Sequence, residues 1–247
     1  MTHLNELLDR IDALKENLDA RRPLTGTERH QLREYYRIGL TYASNALEGN
    51  MLNESETKVV LEDGITIGGK PLKDHLEAAG HSDAYDFMYQ LVKNEEIVEA
   101  DILRMHHLFY HRIDEAHAGK YRGVKVLITG SAFTPPRPGE IPDRMKHFID
   151  ELPEMRHNIH PVLCAASVHL KFVQIHPFID GNGRIARLLM NLELLKRGYP
   201  VAIIPPTIRA DYFQAIESGN RNDDIPFKEL IAGVALEAQK EYMRLLA

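Results

Sequence analysis

The chain has 247 residues, which is enough for one large domain or two small ones. Its 44% hydrophobic and 27% charged residues are ordinary for a soluble globular protein, and its formal net charge of −6 argues against nucleic acid as a partner. The single cysteine, Cys164, excludes an internal disulfide framework. We expect a cytoplasmic protein without membrane contact, because the first residues lack a signal-peptide pattern and no apolar run approaches the roughly 20 residues that span a bilayer.

The N-terminal part of the chain is predicted to form three helices. A first apolar stripe has the spacing of an amphipathic helix, which must end before Pro23. The stripe consists of Leu4, Leu7, Ile11, Leu14 and Leu18. Residues 25–28 have the sequence of a capping box and open a second helix that runs to Gly49, and residues 53–56 open a third that ends at Gly64.

The rest of the chain has helical patterns with one exception. Helical periodicity covers residues 72–93, 99–111, 141–152, 161–175, 183–197, 207–218 and 226–246. Residues 65–71 are predicted to form a turn or a small hairpin. Residues 120–140 are rich in β-formers, are broken by Gly130 and run into three prolines, which predicts one β-hairpin. We therefore predict an all-α single domain with one hairpin and an N-terminal helical extension.

Residues 176–187, His-Pro-Phe-Ile-Asp-Gly-Asn-Gly-Arg-Ile-Ala-Arg, are the segment with the most chemistry. His176 is a titratable base, and Asp180 is an acid that can hold a metal ion. The Gly-Asn-Gly turn leads into a helix, whose free N–H groups and dipole favour an anion. Arg184 and Arg187 lie three positions apart and can fork onto phosphate oxygens. The segment predicts a phosphate site with a base at its rim and a metal ligand inside.

This segment resembles the motif of Fic-domain (filamentation induced by cAMP) proteins, HPFx[DE]GNGRxxR, and matches every defined position. Residues 119–122 and the predicted hairpin after them are similar to the family's flap, and residues 209–220 resemble its adenine-pocket segment. Residues 44–49 match the inhibitory motif [S/T]xxxE[G/N]. Because that motif lies upstream, the chain resembles the class with an N-terminal inhibitory helix. The similarity covers roughly residues 30–240.

The resemblance implies a two-part organisation. Residues 1–95 would be an N-terminal helical region that includes the inhibitory helix. Residues 96–247 would be the Fic core, a helical bundle with the flap at residues 120–138 and the catalytic loop at residues 176–187. The leucine stripe of the first helix suits packing on the body of the protein and a homodimer interface equally well.

The family's usual reaction transfers AMP from ATP to a Ser, Thr or Tyr hydroxyl of a target protein or of the enzyme itself. The resemblance assigns His176 as the base that takes the hydroxyl proton, a role that suits an imidazole. Asp180 would hold Mg²⁺ against the phosphates. The anion site would consist of Gly181, Asn182 and Gly183. Arg184 would contact the polyphosphate near the scissile bond, and Arg187 would hold the γ-phosphate.

Two further segments would bind the substrates. The flap would offer a strand edge to which an extended segment of the target protein adds by main-chain hydrogen bonds. This edge consists of Val126, Leu127, Ile128 and Thr129. Tyr212, Phe213 and Asn220 would bound the adenine. A plain structural hairpin and ordinary helix-face core residues are the alternatives for these two segments.

Glu48 is the second site that the resemblance identifies. If residues 44–49 pack beside the phosphate site, Glu48 can form a bidentate ion pair with Arg187 and place a carboxylate where a phosphate should bind. Gly49 would end the inhibitory helix, and Ser44 would either hydrogen-bond its end or merely pack. The prediction is an adenylyltransferase that is autoinhibited at rest.

Three alternatives stay open from the sequence. Glu48 is equally suited to position a water that removes AMP from a modified protein. A kinase-like relative of the Doc toxin type would carry lysine in place of Gly183, which this chain does not. A non-catalytic interaction protein with the Fic fold would need none of the base, the acid or the two arginines that residues 176–187 retain.

Overall fold

The structure is a computed structural model that describes residues 3–246. These residues form an all-helical domain, and no β-strand occurs among them. The helices are α1 His3–Asp19, α2 Gly26–Ala46, α3 Glu54–Glu62, α4 Leu72–Leu91, α5 Glu99–Tyr110, α6 Ile141–Asn158, α7 Pro161–Ile175, α8 Asn182–Lys196, α9 Arg209–Asn220 and α10 Ile225–Leu245. None of them is long and apolar enough to cross a membrane.

Helix α8 forms the centre of the domain. It packs along α7 and also contacts α2, α4 and α5, so nearly all of its side chains are buried. Because α8 is packed closely against other helices on most of its sides, the residues at its N-terminus are held in place. The catalytic loop, which enters α8, therefore has a rigid support.

Helix α1 packs along α10, so its apolar stripe faces the body of the protein. Leu7 and Ile11 are buried in this contact, and the backbone carbonyl of Ile11 accepts a hydrogen bond from the Gln239 amide at 3.1 Å. Of the two positions that the leucine stripe allows, the structure has the intramolecular one.

The ends of α2 show why its sequence is helical over this range. Thr25 and Glu28 form the predicted capping box, each side chain accepting a hydrogen bond from the backbone N–H of the other. At the other end, Gly49 has φ +96, and its N–H donates to the carbonyl of Ala46 at 3.0 Å. The N–H of Asn50 reaches the carbonyl of Asn45 at 3.1 Å, which completes a Schellman turn. Glycine is favoured at position 49 because most other residues are strained at positive φ.

The predicted β-hairpin at residues 120–140 is wrong for the part of the chain that the structure describes: this segment has no strand ladder. The backbone groups of this segment form hydrogen bonds with the Arg122 side chain and with the catalytic loop instead of with a paired strand. The buried Arg122 guanidinium donates to the carbonyls of His176, Val124 and Pro136 at 2.7–2.9 Å, and the Arg122 N–H donates to the carbonyl of Pro177. The Arg122 guanidinium thus fixes the carbonyls of Val124 and Pro136 near both ends of the segment, and the prolines between residues 135 and 138 have no N–H to donate to a ladder.

Candidate active site

A cavity of about 550 Å³ lies between the N-terminus of α8, the end of α7, helix α9, the flap and the turn after α2. It brings together most of the residues that the sequence singles out. Those that line it are Glu48, Ile128, Thr129, His176, Asp180, Gly183, Tyr212, Phe213 and Asn220. Val126 and Leu127 do not line it, and Leu127 is 91% exposed.

His176 ends α7 in the left-handed conformation, with φ 50 and ψ 57. Its N–H donates to the carbonyl of Phe172 at 3.0 Å, and its own carbonyl accepts from Nε of Arg122 at 2.8 Å. This backbone conformation is uncommon for a residue other than glycine, so both bonds serve to hold it. Burial lowers the pKa of His176 to about 4, and the imidazole is therefore neutral at pH 7. A neutral imidazole in a cavity can accept a proton.

Hydrogen bonds from the Asn182 side chain and contacts with His106 hold the catalytic loop in place. The Asn182 side chain accepts from the N–H of Phe178 and donates to its carbonyl, both at 2.9 Å. The Phe178 ring stacks on the His106 imidazole, with centroids 3.7 Å apart, and Nε2 of His106 bonds the carbonyl of Asp180 at 3.1 Å. The Asn182 side chain is thus committed to the loop itself, which leaves only its backbone for the predicted anion site.

Gly181 begins the turn into α8 with φ +81. A Cβ at this position would lie 2.7 Å from Cε1 of Phe109. Both the positive φ and this close approach require glycine here.

Asp180 and Arg184 belong to a chain of charges that the sequence did not reveal. Oδ1 of Asp180 accepts from Nη2 of Arg184 at 3.0 Å, and Nη1 of Arg184 donates to the buried Glu77 at 2.8 Å. Lys73 lies 3.6 Å from both carboxylates. Burial raises the pKa of Asp180, but the Arg184 guanidinium, the N–H of Gly181 and the Lys73 ammonium together outweigh burial, and the pKa ends below its usual range. Asp180 is therefore ionised.

The residues present fit a single Mg²⁺ held jointly with a nucleotide. No group of three or more His, Cys, Asp or Glu side chains placed to hold a metal occurs among residues 3–246. Mg²⁺ is commonly held by one or two carboxylates with substrate phosphates and water, so one ligand is enough. The Asp180 side chain is 38% exposed towards the cavity and carries a negative charge, which suits that role.

Arg187 is 1% exposed and is bound on three sides. Its Nε donates to Oγ of Ser44 at 2.8 Å, and Nη2 donates to the carbonyl of Ser44 at 2.8 Å. Nη1 donates to the hydroxyl of Tyr212 at 3.0 Å, and Nη2 also reaches Oε1 of Glu48 at 2.7 Å. The predicted bidentate pair with Glu48 is thus a single charged hydrogen bond, because Ser44 takes the remaining donors on that edge of the guanidinium.

Glu48 lies directly over the first turn of α8. A Cβ built on Gly183 would be 2.4 Å from Oε1 of Glu48, so the carboxylate occupies the space that the glycine leaves open. Burial raises the pKa of Glu48, but the nearby Arg187 and Arg184 guanidinium groups outweigh it and lower the pKa overall. An ionised carboxylate therefore sits where an anion at the α8 N-terminus would bind.

The turn that carries Glu48 is held by residues that sequence reasoning missed. Oε2 of Glu77 accepts from the Asn50 amide at 2.9 Å, and Oδ2 of Asp74 accepts from the N–H of Met51 at 2.7 Å. Nε of Arg209 donates to the carbonyl of Leu47 at 2.7 Å. Asn50 carried a local signal, since it follows the inhibitory motif directly, and Arg209 begins the segment that resembles the adenine pocket, but neither was assigned this role.

The three residues predicted to bound the adenine differ in their burial and in their contacts. Tyr212 is 1% exposed, and its hydroxyl forms hydrogen bonds with Nε2 of His169 at 2.8 Å and with Arg187. Tyr212 therefore helps to hold the Arg187 guanidinium in position. Phe213 is half-buried at the cavity wall, where the Arg209 guanidinium covers its ring at 4.7 Å. Asn220 donates to Glu217 at 3.2 Å.

Glu217 also ties the flap to α9. Its carboxylate accepts from the hydroxyl of Ser131, which in turn accepts from the N–H of Phe133 at 3.0 Å. The flap therefore forms one wall of the cavity although it contains no strand.

Comparison with known proteins agrees with this site. The model of the Fic/DOC family matches residues 96–194. "Protein adenylyltransferase Fic" from Drosophila grimshawi is 35% identical over 226 residues, covering 90% of this chain and 46% of that protein. "Protein adenylyltransferase fic-1" from Caenorhabditis elegans is 36% identical over 208 residues, covering 83% of this chain and 40% of that protein. The chain thus spans less than half the length of these curated relatives.

Two solved structures show the same fold. The Fic-1 structure from C. elegans superposes with a TM-score of 0.89 at 31% identity, covering 98% of this chain and 72% of that chain. A Fic domain containing signaling protein from Bacteroides thetaiotaomicron superposes with a TM-score of 0.84 at 26% identity, covering 99% of this chain and 96% of that chain. From the motif, the fold and these relatives together, the chain belongs to the Fic/DOC family.

Proposed function

We propose that this chain is an autoinhibited protein adenylyltransferase, which moves AMP from ATP to a Ser, Thr or Tyr hydroxyl of a target protein or of itself. The observation that carries the proposal is the shared cavity of His176, Asp180 and the N-terminus of α8, with the Glu48 carboxylate placed over that N-terminus. The names of the relatives support the same reaction class.

In this reaction the target hydroxyl attacks the α-phosphorus of ATP, a new O–P bond forms, and pyrophosphate leaves. His176 takes the hydroxyl proton, for which a buried neutral imidazole is suited. Asp180 would hold Mg²⁺, which neutralises charge on the phosphates when bound. The N–H groups at the start of α8 would donate to the phosphates, and Gly183 would allow a close approach.

Arg184 and Arg187 would complete the phosphate site. Arg184 already lies against Asp180 at 3.0 Å, on the side of the α8 N-terminus. Arg187 needs to exchange its Glu48 contact for a γ-phosphate oxygen, while Ser44 and Tyr212 continue to hold its other donors. Phe213 offers a ring face at the cavity wall for the adenine.

The flap would present the target. Ile128 and Thr129 line the cavity, whereas Leu127 projects outside it. The carbonyl of Ile128 accepts from the N–H of Ser131 at 3.1 Å, and the other main-chain groups of residues 126–129 would bond an extended chain from another protein.

Glu48 is the residue that we propose inhibits the enzyme at rest, and we call this effect the brake. The Glu48 carboxylate occupies the anion position at Gly183 and holds Arg187, and like charges at close range cost several kcal/mol. ATP would bind with displaced phosphates, and a displacement near 1 Å costs about a hundredfold in rate.

The test is transfer of label from ATP carrying radioactive α-phosphate into a cell lysate. Glu48→Gly should label a protein band or itself strongly, wild type weakly, and Glu48→Gly combined with His176→Ala not at all. A Glu48→Gly protein that folds, binds ATP and transfers no label would refute the adenylyltransferase.

A second function, removal of AMP from a modified protein, is favoured by one observation. The Glu48 side chain is 28% exposed and lines the same cavity as His176 and Asp180, so its carboxylate is within reach of a water there. An AMP-modified target should release AMP with wild type and not with Glu48→Ala. Equal release by both proteins would remove Glu48 from this reaction.

A further inference from the structure

A second cavity, of about 700 Å³, lies beside the N-terminal half of α2, and we call it the α2 cavity. Its lining includes five basic side chains: Arg22, Arg29, His30, Arg33 and Lys93. None of its described lining residues is acidic, although the whole chain has a net charge of −6. Positive charge is therefore concentrated at this one concave surface.

Two of the four arginine and lysine side chains are not neutralised within residues 3–246. Arg33 pairs with Asp86 at 2.5 Å, and Arg22 lies 3.4 Å from Asp19. Arg29, His30 and Lys93 form no ion pair or side-chain hydrogen bond with a described residue, and all three are exposed at the rim. The rim is thus a set of free donors for an anion.

Aromatic rings form the inner wall of the α2 cavity. They are Tyr36, Tyr89, Tyr199 and Tyr242. Tyr36 and Tyr242 stack with centroids 6.4 Å apart, and both are buried. The Tyr36 side chain is 2% exposed, and its hydroxyl has no hydrogen-bond partner among the described residues; the same is true of Nε of Arg33. Both atoms are buried polar groups at the inner wall, where an unpaired donor is unfavourable.

We propose that the α2 cavity binds a nucleotide with two or more phosphate groups, with its base against the tyrosines and its phosphates at the arginine and lysine rim. Guanidinium groups bond phosphate oxygens in pairs, and tyrosine rings stack on planar bases. The volume lies in the range of about 300–1,000 Å³ that small-molecule sites occupy.

The α2 cavity is separate from the cavity that contains Glu48, His176 and Asp180, which we call the catalytic cavity. The two cavities share no lining residue. Helix α2 connects the two, because it carries Arg29, Arg33 and Tyr36 in its first half and Ser44 near its C-terminus. A nucleotide in the α2 cavity therefore contacts the same helix that positions the Arg187 contact.

The experiment measures ADP binding by calorimetry, with the catalytic cavity blocked by Phe213→Glu. This variant should bind one ADP, more weakly as salt rises. Adding Arg29→Glu and Lys93→Glu should weaken that binding at least tenfold. The matched control, Lys58→Glu with Lys146→Glu, reverses two exposed lysines elsewhere and should stay within twofold.

Three results would overturn the proposal: no ADP binding to Phe213→Glu, an equal loss in the Lys58 and Lys146 control, or tripolyphosphate binding as tightly as ADP. Tighter binding of a short single-stranded oligonucleotide than of ADP would assign the α2 cavity to nucleic acid and also overturn it. Arg29→Ala alone, which adds no new charge, serves as the second variant and should weaken ADP binding severalfold.

Discussion

Replacing Glu48 with glutamine removes a negative charge from the catalytic cavity while the side chain keeps its shape. Oε1 of Glu48 lies 2.7 Å from Nη2 of Arg187 and 2.4 Å from the position of a Cβ on Gly183. A phosphate at the start of α8 would face this carboxylate at about 4 Å, where two unit charges repel by about 4 kcal/mol at an effective dielectric constant near 20.

Solvent screening lowers this repulsion, because the Glu48 side chain is 28% exposed. We therefore expect about 2 kcal/mol to act on the bound nucleotide, which corresponds to about a thirtyfold gain in the rate of AMP transfer for Glu48→Gln. Glu48→Gly also clears the space above Gly183 and should gain about a hundredfold.

The assay is the initial rate of label transfer from α-labelled ATP at one fixed ATP concentration. Glu62→Gln, an exposed carboxamide substitution on α3, is the control and should match wild type. If Glu48→Gln has the wild-type rate while Glu48→Gly is fast, the brake acts by occupying space and the electrostatic reasoning is refuted.

Three further predictions follow from the same contacts. Gly183→Ala should lower the free energy of unfolding by about 1–3 kcal/mol in wild type but by much less in Glu48→Gly, since its Cβ would meet Glu48; equal losses in urea denaturation would contradict that contact. Arg122→Lys keeps the charge but loses the fork onto three carbonyls, and should cost at least about 2 kcal/mol in the same assay; a loss under about 0.5 kcal/mol would show that the flap is held otherwise. Burial lowers the pKa of His81 to about 3, so below pH 6.5 the unfolded chain binds a proton at this histidine that the folded protein does not bind. Stability should fall as pH decreases from 6.5 towards 3, and His81 alone should account for about 2 kcal/mol of that fall at pH 5. His81→Gln should reduce that fall, whereas the exposed His157→Gln should not; identical pH profiles of wild type and His81→Gln would contradict the buried neutral histidine.

The helices could be predicted because their signals are local. Apolar spacing and the two capping boxes involve residues within a few positions of one another, and the structure confirms both boxes. The hairpin could not be predicted correctly, because Arg122 takes the carbonyl of His176, 54 residues away, and no local pattern shows this contact. The boundary at residue 95 between two regions stays a prediction.

For the site, the sequence by itself determined the catalytic loop, the order of its base, acid and arginines, and the match of residues 44–49 to an inhibitory motif. Only the tertiary structure decided how Arg187 is held, since Ser44 is 143 residues away and Tyr212 is 25. It also brought Tyr212, which lines the cavity with Phe213 and Asn220, into hydrogen-bond contact with Arg187, and it gathered basic rim residues and tyrosines from separate helices into the α2 cavity. The physical reason is that a hydrogen bond or a cavity depends on which helices pack together, whereas a motif depends only on neighbours along the chain.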